Sequence, residues 1–212
     1  MTEMTKEQEE MEQKKDNKEE EINWKVEMFV WARYFIIMFL CMFLLTRFVV
    51  FNAYIPSCSM ENQLQIKDRL IGNRLAYLSS DPQRLDVVIF RYPVNEKETF
   101  IKRIIGLPGE TVEITDGKIY IDHATEPLDE PYLKEKWVSD NDGFVFHVPK
   151  DSYLMLGDNR NRSLDARGWP GKAVEFGKAK NLQEGEKFRY VKRDKILAKA
   201  VFKYWRKPGW IS

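Results

Sequence analysis

The chain has 212 residues, 43% of them hydrophobic, which is enough for one folded domain with appended segments. Its net charge is +1, with a net of −4 in residues 1–33 (six basic, ten acidic) and +4 in residues 52–212 (27 basic, 23 acidic). That small surplus, without a basic stripe interleaved with aromatic residues, excludes an extended nucleic-acid-binding surface. It is compatible with an anionic membrane surface, although an ordinary solvated surface is the default explanation.

The N-terminal segment, residues 1–23, is almost entirely charged or polar and has no aromatic side chain. Such a segment cannot bury a hydrophobic core. We therefore expect a disordered tail, or a frayed helix held by Glu–Lys pairs.

Residues 24–51 are predicted to form a transmembrane anchor. The run Tyr34–Phe51 is apolar apart from Arg47 and a few weakly polar residues. Its roughly 18 residues would span about 27 Å as a helix. A buried core helix is disfavoured because the run is apolar on every face rather than along one stripe. A cleaved signal peptide is also disfavoured, since the run starts late and no A-x-A site follows it.

The distribution of basic residues around this anchor predicts its orientation. Several lysines and arginines precede the apolar run, among them Lys14, Lys15, Lys18, Lys25 and Arg33, and none lies between Arg47 and Lys67. Because basic residues favour the cytosolic side, residues 1–23 are predicted to be cytosolic and residues 52–212 extracytoplasmic.

The part of the chain after residue 52 reads as a mainly β, antiparallel domain. Short β-branched and aromatic stretches separated by turn residues predict five strands, at residues 86–91, 99–105, 112–115, 118–122 and 143–148. Asp116-Gly117 predicts a hairpin turn, and Leu107-Pro-Gly109 predicts a second turn. We expect a small β insertion at about 107–150 and a polar surface loop at 171–189.

The usual catalytic and metal-binding motifs are missing from the sequence. The histidines, His123 and His147, have no neighbours that suggest a triad, and we interpret both as structural or surface residues. No Cys/His cluster has metal-ligand spacing and no glycine-rich phosphate loop is present, so neither a metal nor a cofactor is expected.

A serine and a lysine acting together remain as the candidate catalytic pair. Lysine becomes a usable general base when desolvation lowers its pKa to roughly 7–8. Lys102, in Phe100-Ile-Lys-Arg-Ile-Ile105, would share a strand face with Phe100 and Ile104. From the residues alone, an exposed sheet edge is the simpler explanation of this lysine.

Five blocks in order make the chain similar to the type I signal peptidases, membrane-anchored serine–lysine proteases that remove signal peptides. They are the anchor, Ile55-Pro-Ser-Cys-Ser-Met60, Leu85-Asp-Val-Val-Ile-Phe90, Ile101-Lys-Arg-Ile-Ile-Gly-Leu-Pro-Gly-Glu110 and Leu156-Gly-Asp-Asn-Arg-Asn-Arg-Ser-Leu-Asp-Ala-Arg167. The resemblance implies a single-span enzyme that acts as a monomer on signal peptides of secretory preproteins, next to membrane lipid.

The resemblance also implies chemical roles for matching positions. Ser59 would be the nucleophile and Lys102 the general base. The Ser57 hydroxyl and the Ser59 backbone N–H would form the oxyanion hole. Ser163 would donate or accept a hydrogen bond that orients Lys102.

Further matching positions would support the site or form a substrate pocket. Four residues would hold the surrounding structure through ion pairs and hydrogen bonds: Arg103, Asp158, Asp165 and Arg167. Five would line a shallow apolar pocket that admits alanine and so favours A-x-A sites: Ile55, Pro56, Met60, Phe100 and Ile101.

The chain departs from the family pattern at Cys58, where the family has glycine, and at Ala166, where it often has serine. Cysteine does not adopt positive φ as glycine does, so Cys58 would strain the loop or narrow the cleft if the family needs that conformation. We expect its side chain to point away from the site, and we hypothesise that alkylating it blocks activity. Cys41 lies in the apolar run, so no disulfide is expected.

Two other functions fit parts of this pattern. A self-cleaving repressor would share the serine–lysine pair but needs a DNA-binding module, whereas residues 1–51 offer an apolar span. A relative that processes or positions dedicated surface substrates, such as pilus subunits, is the other alternative. A non-catalytic form of it would lack Ser59 or Lys102, and neither is lost.

Overall fold

The computed structural model describes residues 6–137 and 142–211. The chain divides into two compact units between Arg47 and Phe48. The first unit is a single long helix, and the second contains the β-sheets and the short helices.

Helix α1 (Lys6–Leu44) continues as one turn of π-helix, Leu45–Val49. Within it, Asn23–Val49 is long and apolar enough to cross a membrane, and none of its most apolar stretch is buried. Of the two states expected for residues 1–23, the helix is observed from Lys6, and residues 1–5 lie outside the described part of the chain. The helical structure ends at Val49, and Val50 and Phe51, which the predicted anchor included, pair with a neighbouring strand.

The second unit is built on antiparallel strands, so the predicted mainly β fold class is confirmed. In the described residues they are β1 (Val50–Tyr54), β2 (Arg69–Asn73), β3 (Val87–Arg91), β4 (Thr99–Gly106), β5 (Thr111–Thr115), β6 (Lys118–Ile121), β7 (Val145–His147), β8 (Ser152–Leu156), β9 (Val191–Lys192), β10 (Ile196–Lys203) and β11 (Gly209–Trp210). The larger sheet has the order β1-β2-β10-β3-β4-β8-β9, with β11 paired to β10.

A smaller sheet, in the order β6-β5-β7, lies within the segment expected to form a β insertion. Its hairpin turns at Asp116 (φ 53°) and Gly117 (φ 68°), as the Asp-Gly pair predicts. Two positive φ angles in succession match the right-handed twist of the flanking strands.

The core has two parts, and the smaller one supports the loop that carries Ser59. The larger part joins the inner faces of β3, β4 and β8 to the small sheet and to helix α2 (Trp169–Glu175). The smaller part packs Ile55, Met60 and Leu64 against β2, β3 and β10. Apolar residues on both sides of Ser59 are therefore fixed by burial, and Ser59 is held between them.

The prediction of a polar loop at 171–189 was wrong. This segment contains the end of α2, helix α3 (Leu182–Gly185) and a 3₁₀ turn, Glu186–Phe188. Pro170 stands in the first turn of α2, where its missing N–H costs nothing, and the Asn181 side chain accepts a hydrogen bond from the Glu184 backbone N–H to cap α3.

Candidate active site

Ser59 and Lys102 meet in the folded chain although 43 positions separate them. Lys102 Nζ lies 2.6 Å from Ser59 Oγ, and the side chains belong to residues only 3% and 8% exposed. The ammonium form of Lys102 donates this hydrogen bond, and the neutral amine would accept one from the hydroxyl. The pair has the contact that a nucleophile and its base require.

Lys102 is buried because β4 lies inside the sheet, not at its edge. Val88 of β3 is its cross-strand partner on one side, and on the other side β8 pairs with β4 from Arg103 onward. Burial lowers the pKa of Lys102 to about 8, against the opposing charges of Asp165 and Asp158. The exposed-edge explanation of this lysine is therefore wrong.

The Ser59 loop is held from the opposite side by the segment after β8. Asn159 donates from its backbone N–H to the Ser59 carbonyl (3.1 Å) and from its side-chain amide to the Cys58 carbonyl (3.1 Å). A Cβ atom on Gly157 would lie 2.5 Å from the Ser59 carbonyl oxygen and 2.1 Å from Ser163 Oγ. Only glycine permits so close an approach of the two loops.

Two buried ion pairs organise this same segment. Arg103 donates to both carboxylate oxygens of Asp158, at 2.9 and 2.8 Å, and the two side chains are almost fully buried. Arg167 donates to both oxygens of Asp165, which also accepts from the Gly157 N–H at 3.1 Å. Burial by itself would raise the pKa of Asp165, but Arg167, the Gly157 N–H and Lys102 together outweigh that effect and the pKa is lowered.

Ser163 occupies the expected neighbourhood without the expected hydrogen bond. Its Oγ is buried and has no hydrogen-bond partner in the described part of the chain, so the predicted contact with Lys102 is not formed. The hydroxyl lies instead against Gly157.

A cavity of about 590 Å³ opens beside the serine–lysine pair. It is lined by β1 residues 51–54, by β4 residues 99–102, and by the serines Ser57 and Ser59. The five residues predicted to form an apolar pocket all line it: Ile55, Pro56, Met60, Phe100 and Ile101. Ser57 Oγ lies 3.3 Å from Ser59 Oγ.

Cys58 is half-buried and, among the described residues, is not part of the cavity lining, whereas its two serine neighbours are. Its φ is not positive, so the cysteine sits in this loop without the strain that a left-handed conformation would impose. The predicted effect of alkylation remains a prediction.

Some residues of the site were missed from the sequence. Asn159 lies inside the motif block 156–167, two residues after Gly157, and this was the available signal. Strand β1 was hidden by the apolar run that it continues. Leu164 and Arg162, which lie in the same block, also line the cavity, although the sequence analysis gave them no role. Among the described residues, no group of three or more His, Cys, Asp or Glu side chains is placed to hold a metal ion.

Comparison with known proteins gives consistent results. Residues 28–205 match the signal peptidase family, peptidase S26. Signal peptidase I of Leptolyngbya laminosa is 36% identical over 170 residues, covering 74% of this chain and 70% of the relative. Probable signal peptidase I-2 of Synechocystis sp. is 38% identical over 166 residues, covering 76% and 66%. The crystal structure of a signal peptidase I from Enterococcus faecalis is 31% identical with a TM-score of 0.42, covering 57% of this chain and 97% of that one.

Proposed function

Because this chain belongs to the type I signal peptidases, and is therefore a serine peptidase, we propose that Ser59 and Lys102 carry out its cleavage of signal peptides. One observation carries the proposal: the buried Lys102 Nζ lies 2.6 Å from Ser59 Oγ. In the described residues neither histidine approaches Ser59 in a hydrogen bond, and lysine is the base that the geometry offers.

The reaction begins with the neutral form of Lys102. Nζ takes the proton of Ser59 as Oγ bonds to the scissile carbonyl carbon, and a tetrahedral oxyanion forms. The new ammonium then gives its proton to the departing amine, which breaks the peptide bond and leaves an acyl-enzyme. Water, deprotonated by the same lysine, attacks the ester, and Ser59 Oγ leaves with the returned proton.

The oxyanion is stabilised by two donors, the Ser57 hydroxyl and the Ser59 backbone N–H. This role for Ser57 is supported by its place in the cavity lining and by the 3.3 Å between its Oγ and the attacking oxygen. Donors of this kind act on charge that exists only in the transition state, and removing one typically costs about 10²–10³ in kcat.

A preference for A-x-A sites is consistent with the shape of the cavity. An extended substrate places alternate side chains on the same side, so both alanines would face the apolar wall while the central residue points away. The wall of Ile55, Met60 and Ile101 excludes bulk instead of attracting a particular group. Small residues at both alternate positions are thus the best fit.

We place the enzyme on a membrane, anchored by Asn23–Val49, with the preceding charged segment cytosolic and the peptidase domain outside. Ser59 is ten positions after Val49, which allows a reach of at most about 36 Å along the chain. Anchoring enzyme and substrate in one bilayer raises the effective concentration of the cleavage site.

The test is cleavage of a purified preprotein with an A-x-A junction by the detergent-solubilised chain, with Ser59→Ala and Lys102→Ala in parallel. Cleavage at that junction by the parent, and at least a thousandfold loss in both variants, would support the proposal. Unchanged cleavage by either folded variant would contradict it. No cleavage by the folded parent would contradict the A-x-A substrate class and point to a dedicated substrate.

A further inference from the structure

A segment far from the serine–lysine pair in sequence crosses the two loops that form the site. We call residues 130–137, between β6 and β7, the strap. Its Tyr132 carbonyl accepts from the Asn62 side chain at 3.1 Å, and its Lys134 pairs with Glu61 at 2.8 Å. Its Lys136 carbonyl accepts from the Asn161 side chain at 2.9 Å. The strap is therefore bonded both to the loop after Ser59 and to the loop after β8.

The strongest of these contacts is a buried ion pair. Arg160 donates to both carboxylate oxygens of Glu130, at 2.5 and 3.1 Å, and the side chains are 0% and 5% exposed. The Tyr132 hydroxyl donates to Glu130 at 2.6 Å, and the Arg160 guanidinium lies over the Trp137 ring at 4.8 Å. A buried pair of this kind returns little net stability, because its desolvation cost offsets the attraction. A contribution to stability is therefore a weak explanation for the presence of this ion pair.

Arg160 connects this pair to the position of Ser59. Its Nε donates to the Gly157 carbonyl at 3.0 Å, which fixes the backbone at the residue packed against the Ser59 carbonyl. Asn159, two residues after Gly157, donates its backbone N–H to the Ser59 carbonyl. The direction of one guanidinium thus sets the distance between the two loops.

A second contact runs from the strap to β4. The Arg103 guanidinium lies over the Tyr132 ring at 3.9 Å while it holds Asp158, and Arg103 is the neighbour of Lys102. The strap therefore touches both sides of the serine–lysine pair without touching either residue.

We propose that Glu130 is a positioning residue for the reaction, holding Arg160 so that the Gly157 turn keeps Ser59 within hydrogen-bonding distance of Lys102. This proposal rests on the proposed function, and it assigns a catalytic purpose to a segment outside the five motif blocks. It predicts an effect on kcat and little on KM, because the strap does not line the cavity that receives the substrate. A misplacement of about 1 Å between reacting groups can cost about a hundredfold in rate.

The experiment uses the full-length chain in detergent and an A-x-A preprotein. Glu130→Gln retains the side-chain size but leaves Arg160 without its anion, and we expect kcat to fall at least tenfold with KM within threefold of the parent. The matched control is Glu110→Gln, which removes another two-point arginine–glutamate pair, Arg84–Glu110, away from the two loops. We expect its kcat to stay within twofold.

A double variant separates positioning from stability. Glu130→Met with Arg160→Met replaces the buried pair by apolar side chains, which commonly preserves folding. It also removes the Arg160 hydrogen bond to the Gly157 carbonyl. A positioning role predicts a parent-like unfolding temperature and a kcat still at least tenfold low, whereas a purely structural role predicts that both recover.

The proposal is overturned if Glu130→Gln has a parent-like kcat, if the double variant recovers kcat, or if both variants fail to fold. The same assay distinguishes failure of this inference from failure of the proposed function. If the proposed function is wrong, the parent does not cleave the preprotein, or the Ser59→Ala variant still does. If only the role of Glu130 is wrong, the parent is active and Ser59→Ala is inactive.

Discussion

At the scale of single residues, Lys102 is unusual because a long cationic side chain is buried inside a sheet. Only 3% of it is exposed, and burial lowers its pKa from an ordinary 10.5 to about 8. Burial therefore increases the fraction of Lys102 in the neutral amine form, which in the proposed mechanism removes a proton from Ser59. The same burial has an energetic cost, which is measurable as stability.

Replacing Lys102 with methionine should stabilise the domain at neutral pH. Between pH 8 and 10.5 the unfolded chain binds a proton at Lys102 that the folded chain does not, so the parent loses stability as pH falls through this window. The full loss is about 3 kcal/mol below pH 8. Urea unfolding at pH 7 and pH 10 should show a gain for Lys102→Met at pH 7 that largely disappears at pH 10. A variant less stable than the parent at pH 7 would contradict this.

Cys58 offers a second residue-scale prediction. It is half-buried and its carbonyl is held by Asn159, so a bulky adduct on the thiol should displace the loop that carries Ser59. N-ethylmaleimide should therefore reduce cleavage at least tenfold in a Cys41→Ser chain. A Cys41→Ser, Cys58→Gly chain is the control and should be unaffected. Full activity after complete modification of Cys58 would rule the idea out.

At the scale of elements, the turn after β8 contacts the loop that carries Ser59, just as β4 carries Lys102. Gly157→Ala would place a Cβ atom 2.5 Å from the Ser59 carbonyl oxygen. We expect at least a hundredfold loss of kcat/KM, because one of the two loops must move. Gly171→Ala is the control: its Cβ meets nothing within 4 Å, and alanine in a helix adds about 0.5–1 kcal/mol of stability. Equal activity of both variants would show that the close approach is unimportant.

Elements were predictable where the local pattern matched the local environment. The strands at 87–91 and 99–106 have β-branched residues between turn signals, and Asp116-Gly117 specifies a two-residue turn. β8 was missed because all five of its residues are buried, which removes the alternation that reveals a strand. β10 does alternate, with Ile196, Ala198 and Ala200 buried, and could have been predicted.

Some residues of the candidate site could likewise be predicted from the sequence, and others could not. Ser59 and Lys102 could be identified through the motif blocks, although nothing near either residue indicates the other. Glu130 could not be identified, because its partner Arg160 is 30 positions away and neither stands in a pattern that specifies pairing. Contacts made only by tertiary folding have no local signal in the sequence.

At the scale of the whole molecule, the chain consists of an apolar helix and a domain with its own core. The two core clusters draw their buried residues from positions 55–200, so residues 48–212 should fold without the helix. We expect this shortened chain to cleave a short soluble A-x-A peptide at a rate within threefold of the full chain.

Cleavage of a preprotein inserted in lipid vesicles should instead fall at least tenfold, because the shared membrane no longer concentrates the two partners. Replacing residues 23–49 by an unrelated apolar span of equal length should restore the rate if the helix is an anchor only. Equal cleavage of the vesicle substrate by the shortened chain would show that anchoring has no such role.

The central claim is that Lys102 is the base for Ser59, and the pH dependence of kcat/KM tests it most directly. With a pKa of about 8, the neutral fraction at pH 6 is about one hundredth of its value at high pH. Between pH 6 and about 8, kcat/KM for an A-x-A peptide should rise nearly tenfold per pH unit, and it should level off between pH 8 and 10. A rate that stays constant across this range would contradict lysine as the base.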